Sequence, residues 1–270
     1  MSQLSQFLTD FHHLCINLKS RKNYSQKTTQ NEFVIHVKSS FLKNKKTFIR
    51  FITSNQDYKM PHSKRRNNFP KKRTKVYGSS HGNHGFQEKF SSYMEQDTKN
   101  YYTPLFDCQG GREIDHEFVL EIISDMQNYS EQGEPFIAII ICGTNNIRKK
   151  GVALDIMEVF LELADAVSNL PRVHLVINGM LPSPQTDEDT RKRVGSKWNF
   201  SEASSMLKTM CDSSDKITFI DLGSIFTRGG FPKAELFNKG GIHLNSKGVD
   251  ILAKANYDKV RTIPHSFLSK

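Results

Sequence analysis

Residues 135–142 constrain the fold more than any other stretch, because they form an unbroken apolar run, Pro-Phe-Ile-Ala-Ile-Ile-Ile-Cys. A strand with one solvent-facing side alternates apolar and polar residues, whereas a strand that is covered on both faces does not. The run is also far shorter than the roughly 20 apolar residues that a membrane span needs. It therefore predicts a strand at the centre of a sheet with helices on both sides.

Shorter strand patterns and amphipathic helical patterns alternate along the chain around this run. Alternation of this kind is typical of a parallel sheet whose crossover helices cover both faces. We therefore predict an α/β fold, a three-layer α/β/α sandwich of the flavodoxin-like kind with a five-stranded parallel sheet. The predicted strands are 75–78, 101–107, 135–142, 173–178 and 217–222. The predicted helices are 113–129, 152–169, 201–212 and 247–261, and the segment 83–96 is ambiguous.

Basic charge is concentrated at the start of the chain. Residues 1–75 hold 17 Lys and Arg against three acidic residues, a net charge of +14, whereas the whole sequence has +10. We interpret 1–74 as a basic arm of low order and 75–265 as the folded domain. Such an arm either contacts the phosphates of RNA or DNA or is a solvated tail without a specific partner. The candidate nucleic-acid contacts are Lys64, Arg65, Arg66, Lys71, Lys72 and Arg73.

Several classes of protein are disfavoured by the sequence. Its four cysteines are scattered without the close spacing of a zinc site or a disulfide framework. The segment from Leu4 to Leu18 is interrupted by Asp10, His12 and His13, unlike the apolar core of a signal peptide. We therefore expect an intracellular protein, cytoplasmic or nuclear, with no membrane span, metal or cofactor.

Four polar or glycine-rich segments follow predicted strands, at the edge where the carboxyl ends of parallel strands meet. They are 76–82 (Val-Tyr-Gly-Ser-Ser-His-Gly), 110–111 (Gly-Gly), 143–146 (Gly-Thr-Asn-Asn) and 240–245 (Gly-Gly-Ile-His-Leu-Asn). A serine hydroxyl needs a base to become a nucleophile, so Ser80 and His243 form a candidate pair. Backbone amides near Gly111 and the side-chain amide of Asn145 are candidate donors to an oxyanion.

Each of these segments also has a plainer interpretation. Ser79 and Ser80 are suited to capping a following helix. The paired glycines are suited to an ordinary turn, and the asparagines to an Asx turn. His243 could be a loop histidine without a chemical role. His81 is next to Ser80 in sequence, but adjacent side chains on a tight turn diverge, so His243 is preferred as the base.

Taken in order, the four segments resemble the SGNH hydrolases, also called the GDSL-like lipase and acylhydrolase superfamily. Val-Tyr-Gly-Ser-Ser-His is similar to the family's first block, and Gly-Ile-His-Leu-Asn is similar to its fifth. The resemblance covers roughly residues 75–262 and implies hydrolysis of a small ester through a covalent acyl-enzyme, without a metal. It implies Ser80 as the nucleophile, His243 as the base, and the Ser80 amide, Gly111 (or Gly110) and Asn145 as the oxyanion hole.

Three positions depart from the family pattern. Ser79 and Asn146 stand in place of aspartates, and Gly240 stands where the family has the acid three residues before its histidine. Loss of a triad acid lowers turnover by about 10⁴. A backbone carbonyl, Asp221 or Asp250 could orient His243 instead.

Two functions therefore stay open. One is an ester hydrolase of reduced activity. The other is a weak or inactive SGNH-like binding module with a nucleic-acid-binding arm, as in some retroelement proteins. The first depends on the Ser80 and His243 pair, and the second on the basic arm.

Overall fold

The computed structural model describes residues 71–150, 153–182, 184 and 198–264. Its main element is a five-stranded sheet in the order β2-β1-β3-β4-β5, in which all neighbouring strands are parallel. The strands are β1 (Arg73–Gly78), β2 (Leu105–Cys108), β3 (Phe136–Ile141), β4 (Val173–Asn178) and β5 (Ile217–Ile220). The predicted five-stranded parallel sheet is confirmed.

Helices cover both faces of this sheet, so the three-layer prediction is confirmed as well. The helices are α1 (His84–Glu95), α2 (His116–Glu131), α3 (Thr144–Lys150), α4 (Ala153–Asn169), α5 (Trp198–Cys211), α6 (Leu222–Phe226) and α7 (Ser246–Val260). Apolar side chains of α2, α4 and α5 pack on one face, and those of α1, α6 and α7 pack on the other. Short elements complete the fold: 3-10 turns at Ser80–Gly82 and Ala234–Leu236, and a hairpin of β6 (Thr227–Arg228) and β7 (Phe231–Pro232).

Strand β3 lies at the centre of the sheet, as its apolar sequence predicts. All six of its residues are buried. Ile137 and Ile139 contribute to the core beneath α1 and α7, while Phe136, Ala138 and Ile140 contribute to the core beneath α2, α4 and α5. The absence of alternation in this stretch thus reflects two apolar layers rather than one.

Strand β2 is shorter than the predicted 101–107. It begins at Leu105, and Tyr101 makes only an isolated bridge to Lys72. Strand β2 is one of the two edge strands of the described sheet, and β1 is its neighbour there. An edge strand is less buried than a central strand. The apolar residues in its sequence therefore predict its first and last residues less accurately.

Lys72 belongs to the folded unit, and the prediction that it contacts nucleic acid is wrong. Its side chain is 1% exposed, and its ammonium donates a hydrogen bond to the carbonyl of Ile263 at 2.7 Å. Burial lowers the pKa of this ammonium to about 8. Arg73 is already paired with Glu134 at 2.8 Å. The predicted contacts at positions 64–66 lie outside the described residues.

In the part of the chain that the structure describes, no helix is both long enough and apolar enough to cross a bilayer.

Candidate active site

Ser80 lies in the short 3-10 turn between β1 and α1, at the carboxyl edge of the sheet. Glycines allow this turn to lie against the neighbouring strands. A Cβ on Gly78 would be 2.9 Å from the carbonyl oxygen of Ile141 in β3. A Cβ on Gly82 would be 2.5 Å from the sulfur of Cys108 in β2. The turn is therefore held between the ends of two strands, which restricts where Ser80 can point.

The two serines of this turn differ in exposure. Ser79 is 2% exposed, and its backbone N–H donates to the carbonyl of Ile141 at 3.1 Å, extending the pairing of β1 with β3. Ser80 is half-buried and begins the 3-10 turn. Ser80 is therefore the serine of the pair that a solvent-borne substrate reaches more easily.

His243 lies in the loop between the second 3-10 turn and α7. The chain reverses direction in this loop, and an antiparallel bridge between Phe237 and Leu244 closes it. The N–H of Asn238 donates to the carbonyl of His243 at 2.9 Å. Asn245 ties the loop together, since its side chain caps the first turn of α7 and also donates to the carbonyl of Phe237. The backbone of His243 is thus fixed while its side chain is exposed.

The ring of His81 joins the Ser80 turn to the His243 loop. Its Nε2 lies 3.1 Å from the carbonyl oxygen of Ile242, and its ring centroid lies 5.9 Å from that of His243. A carbonyl oxygen only accepts hydrogen bonds, so the Nε2 of His81 carries the proton. The two segments predicted to hold the nucleophile and the base are therefore neighbours. Within the described residues, no hydrogen bond joins the Ser80 hydroxyl to the ring of His243.

No carboxylate compensates for the missing acid at Gly240 in the described part of the chain. Asp221 accepts from the N–H of Ser224 at 3.1 Å and so caps α6. Asp250 accepts from the hydroxyl of Tyr93 at 3.0 Å. Neither residue forms an ion pair or hydrogen bond with His243, so neither supplies the partner that a triad normally has.

The candidate oxyanion donors belong to two loops that are tied together. Gly111 has a φ of +76° in the exposed turn after β2. The side-chain amide of Asn145 donates to the carbonyl of Arg112 at 3.0 Å, which uses one of its two N–H groups. Asn146 both accepts from the N–H of Ile114 at 2.9 Å and donates to its carbonyl at 2.7 Å.

This last pair of hydrogen bonds explains why position 146 carries an amide. An ionised aspartate only accepts hydrogen bonds, so it would leave the carbonyl of Ile114 without its donor. Asn146 is 6% exposed, and an unpaired carbonyl at such a site is costly. The sequence showed the departure from the family's aspartate, but nothing in it indicated which backbone groups the amide would bind.

The surroundings of the site differ on its two sides. Beneath His81 there is a cavity of only about 10 Å³, lined mainly by apolar side chains such as Leu181 and Leu222. Beside Gly111 an open groove of about 350 Å³ is lined by Glu113, Asp115, Glu117 and Glu121 among others. The cavity has room for about one water-sized group. Among the described residues, no cluster of three or more His, Cys, Asp or Glu side chains could hold a metal ion.

Solved structures with a similar fold include known hydrolases. A GDSL-like lipase from Bacteroides thetaiotaomicron matches with a TM-score of 0.52 at 15% identity, covering 80% of this chain and 98% of the lipase. A carbohydrate esterase of family 3 from Talaromyces cellulolyticus matches with a TM-score of 0.52 at 14% identity, covering 71% of this chain and 97% of the esterase. No protein-family model matches the sequence, and neither does any curated protein. The chain therefore has the fold of the SGNH hydrolases, the GDSL-like lipase and acylhydrolase superfamily.

Proposed function

We propose that this chain is a serine ester hydrolase of low turnover, in which Ser80 is the nucleophile and His243 is the base. One observation carries the proposal: His81 contacts both Ile242 and the ring of His243, so the Ser80 turn and the His243 loop occupy the same point of the sheet edge. The accessibility of Ser80 relative to the buried Ser79 supports the choice of nucleophile.

In the proposed reaction, the hydroxyl of Ser80 attacks the ester carbonyl while His243 takes its proton. The negative oxygen that forms is stabilised by the backbone amide of Ser80, the remaining N–H of Asn145 and an amide near Gly111. His243 then gives its proton to the departing alcohol. Water, activated by the same ring, releases the acid from Ser80.

Low turnover follows from the missing carboxylate. In a complete triad the acid holds the histidine in one tautomer and stabilises the imidazolium that forms when the proton is taken. With glycine at position 240, no carboxylate of the described residues pairs with the cation on His243. The proposed enzyme therefore retains a nucleophile, a base and oxyanion donors but lacks the group that favours charge on the base.

Replacing the nucleophile tests the proposal directly. Ser80→Ala should lower the hydrolysis of p-nitrophenyl acetate at least about 10²-fold, to the rate of buffer, because an alanine cannot form the acyl-enzyme. Ser79→Ala is the matched control, since it removes a hydroxyl from the same turn at a buried position, and it should keep most of the rate. Equal rates for the wild type and Ser80→Ala would exclude Ser80 as the nucleophile.

A second candidate function is binding of single-stranded nucleic acid, which a group of cationic and aromatic side chains favours. The ammonium of Lys71 lies 5.6 Å from the ring centroid of Tyr102, and the guanidinium of Arg73 lies 4.8 Å from it. Tyr102 is 43% exposed. Proteins bind single strands by stacking bases on aromatic rings beside cations that neutralise phosphates. In the sequence, four basic residues precede this group without an intervening acid: Lys59, Lys64, Arg65 and Arg66.

Salt titration of a Tyr102 variant tests this second function. We expect a fluorescent oligouridine to bind at 50 mM salt and to dissociate as salt rises, because counterions compete for the phosphates. Tyr102→Ala should weaken binding about tenfold at each salt concentration, whereas Tyr102→Phe should bind like the wild type, since either ring can stack. Phe231→Ala removes an exposed ring elsewhere and serves as the control. Absence of binding at 50 mM salt, or unchanged binding by Tyr102→Ala, would reject this surface.

A further inference from the structure

His81 directly follows the proposed nucleophile, yet its side chain is turned into the protein. The residue is 9% exposed, and it lines the small cavity together with Leu181, Leu222 and Leu252. Its Nε2 donates to the carbonyl of Ile242 at 3.1 Å. A buried imidazole whose N–H has a hydrogen-bond partner in another segment connects the two segments, unlike a solvated loop side chain.

The segment that His81 holds is the one that carries the proposed base. The backbone of His243 is held on one side by the N–H of Asn238, at 2.9 Å from its carbonyl oxygen. His81 holds it on the other side through the preceding residue, Ile242. These two hydrogen bonds come from different parts of the chain and together leave the backbone at His243 little freedom to shift.

A triad acid has two separable effects on its histidine. It fixes the position of the ring, and it stabilises the positive charge that the ring acquires. Gly240 provides neither effect, because it has no side chain. His81 can provide a positional effect through Ile242, but an imidazole has no negative charge with which to stabilise a neighbouring cation as a carboxylate does. The two rings lie 5.9 Å apart between centroids. This contact can help to hold the His243 ring in position, but it does not stabilise a positive charge on that ring.

We propose that His81 is a positioning residue, which holds the His243 loop against the Ser80 turn in place of the absent carboxylate. This inference rests on the proposed esterase function for its catalytic consequence. The physical tie itself, from His81 to Ile242, is independent of any activity. With this tie, the site would still position His243 partly as a triad does, but it would lack most of the stabilisation that a triad gives to the imidazolium.

Two substitutions at His81 separate the hydrogen bond from the volume of the ring. His81→Leu fills the space but removes the donor, whereas the side-chain amide of His81→Gln has an N–H in a position similar to that of Nε2. With p-nitrophenyl acetate, we expect His81→Leu to lower kcat about tenfold, the effect of one lost hydrogen bond, with little change in KM. His81→Gln should recover most of the wild-type kcat.

Hydrogen exchange gives a readout that does not require activity. The backbone amides of Asn238 and Gly241 are hydrogen-bonded within the loop, to His243 and Asn238 respectively. In His81→Leu, peptides that cover 237–245 should exchange faster than in the wild type, and in His81→Gln they should exchange at the wild-type rate. Peptides from β3 should be unchanged in both variants, which shows that the fold is intact.

The two readouts distinguish failure of this inference from failure of the esterase proposal. If the wild type has no Ser80-dependent hydrolysis, the esterase proposal fails, and exchange alone then decides whether His81 holds the loop. Unchanged exchange in His81→Leu would overturn the positioning role, whatever the activity. Faster exchange together with an unchanged kcat would also overturn it, since the tie would then have no catalytic effect.

Discussion

Gly240→Asp is expected to raise kcat for p-nitrophenyl acetate by up to about 10⁴-fold, the factor by which triads weaken when the acid is lost. The position is three residues before His243 and is exposed. A Cβ at Gly240 would have no atom within 4 Å, and its φ lies outside the positive region that favours glycine. An aspartate therefore fits the loop without strain, and its carboxylate could orient His243 and stabilise the imidazolium.

A control variant must separate the effect of the new negative charge from the effect of the new side chain's size and shape. Gly240→Asn has nearly the same shape as Gly240→Asp but carries no charge, so it should raise kcat far less. The double variant Gly240→Asp/His81→Leu tests whether the two positions are coupled. A carboxylate at position 240 would hold the His243 ring itself, so His81→Leu should lower kcat less in this background than in the wild type. If Gly240→Asp and Gly240→Asn both remain at the wild-type rate, the missing acid is not what limits this site.

Asn256→Leu is expected to lower the free energy of unfolding by about 2–4 kcal/mol, because it leaves a buried amide without its partner. Asn178 in β4 and Asn256 in α7 are 1% and 0% exposed. Each side chain donates to the oxygen of the other, at 2.9 and 3.0 Å. Asn178 also donates to the carbonyl of Ile140, and Asn256 to that of Leu252. The pair therefore links the central sheet to α7, which follows the His243 loop.

Urea denaturation measures this effect, and two further variants make it specific. Asn178→Leu/Asn256→Leu should lose less stability than the sum of the two single substitutions, since no unpaired amide remains between β4 and α7. Asn128→Leu, at an exposed position on α2, should change stability by no more than about 0.5 kcal/mol. A loss below about 1 kcal/mol in Asn256→Leu would show that water replaces the missing partner.

Much of the architecture could be predicted from local patterns, because burial acts on every residue of an element. The six residues of β3 are apolar without alternation since both sides of that strand are covered. Helix α2 is predicted by a four-residue spacing of apolar residues that includes Phe118 and Ile122, both of which lie in the core. The segments after β1, β2 and β3 are likewise recognisable, because parallel strands present their carboxyl ends at one edge.

The same patterns did not indicate how single polar side chains are used. Lys72 stands among Lys71, Arg73 and Lys75 in the sequence, and charge alone does not show which of these side chains is buried in the core. Its ammonium donates a hydrogen bond to the carbonyl of Ile263, which is 191 residues away in the sequence. The sequence singles out Asn145 and Asn146 after β3, but it does not indicate that their amides bind Arg112 and Ile114 in the segment after β2.

The sequence by itself determined the layers, the parallel sheet and the edge at which Ser80, Asn145 and His243 belong, because each depends on the average exposure of an element or on the direction of a strand. Only the tertiary structure decided that Ile242 accepts a hydrogen bond from His81, that Asp221 and Asp250 have other partners, and that Lys72 is buried. Each of these is a directional contact between side chains and groups from separate elements. Such contacts form only when donor and acceptor atoms lie within about 3 Å of each other. The periodicity and composition of a sequence carry no information about distances between separate elements.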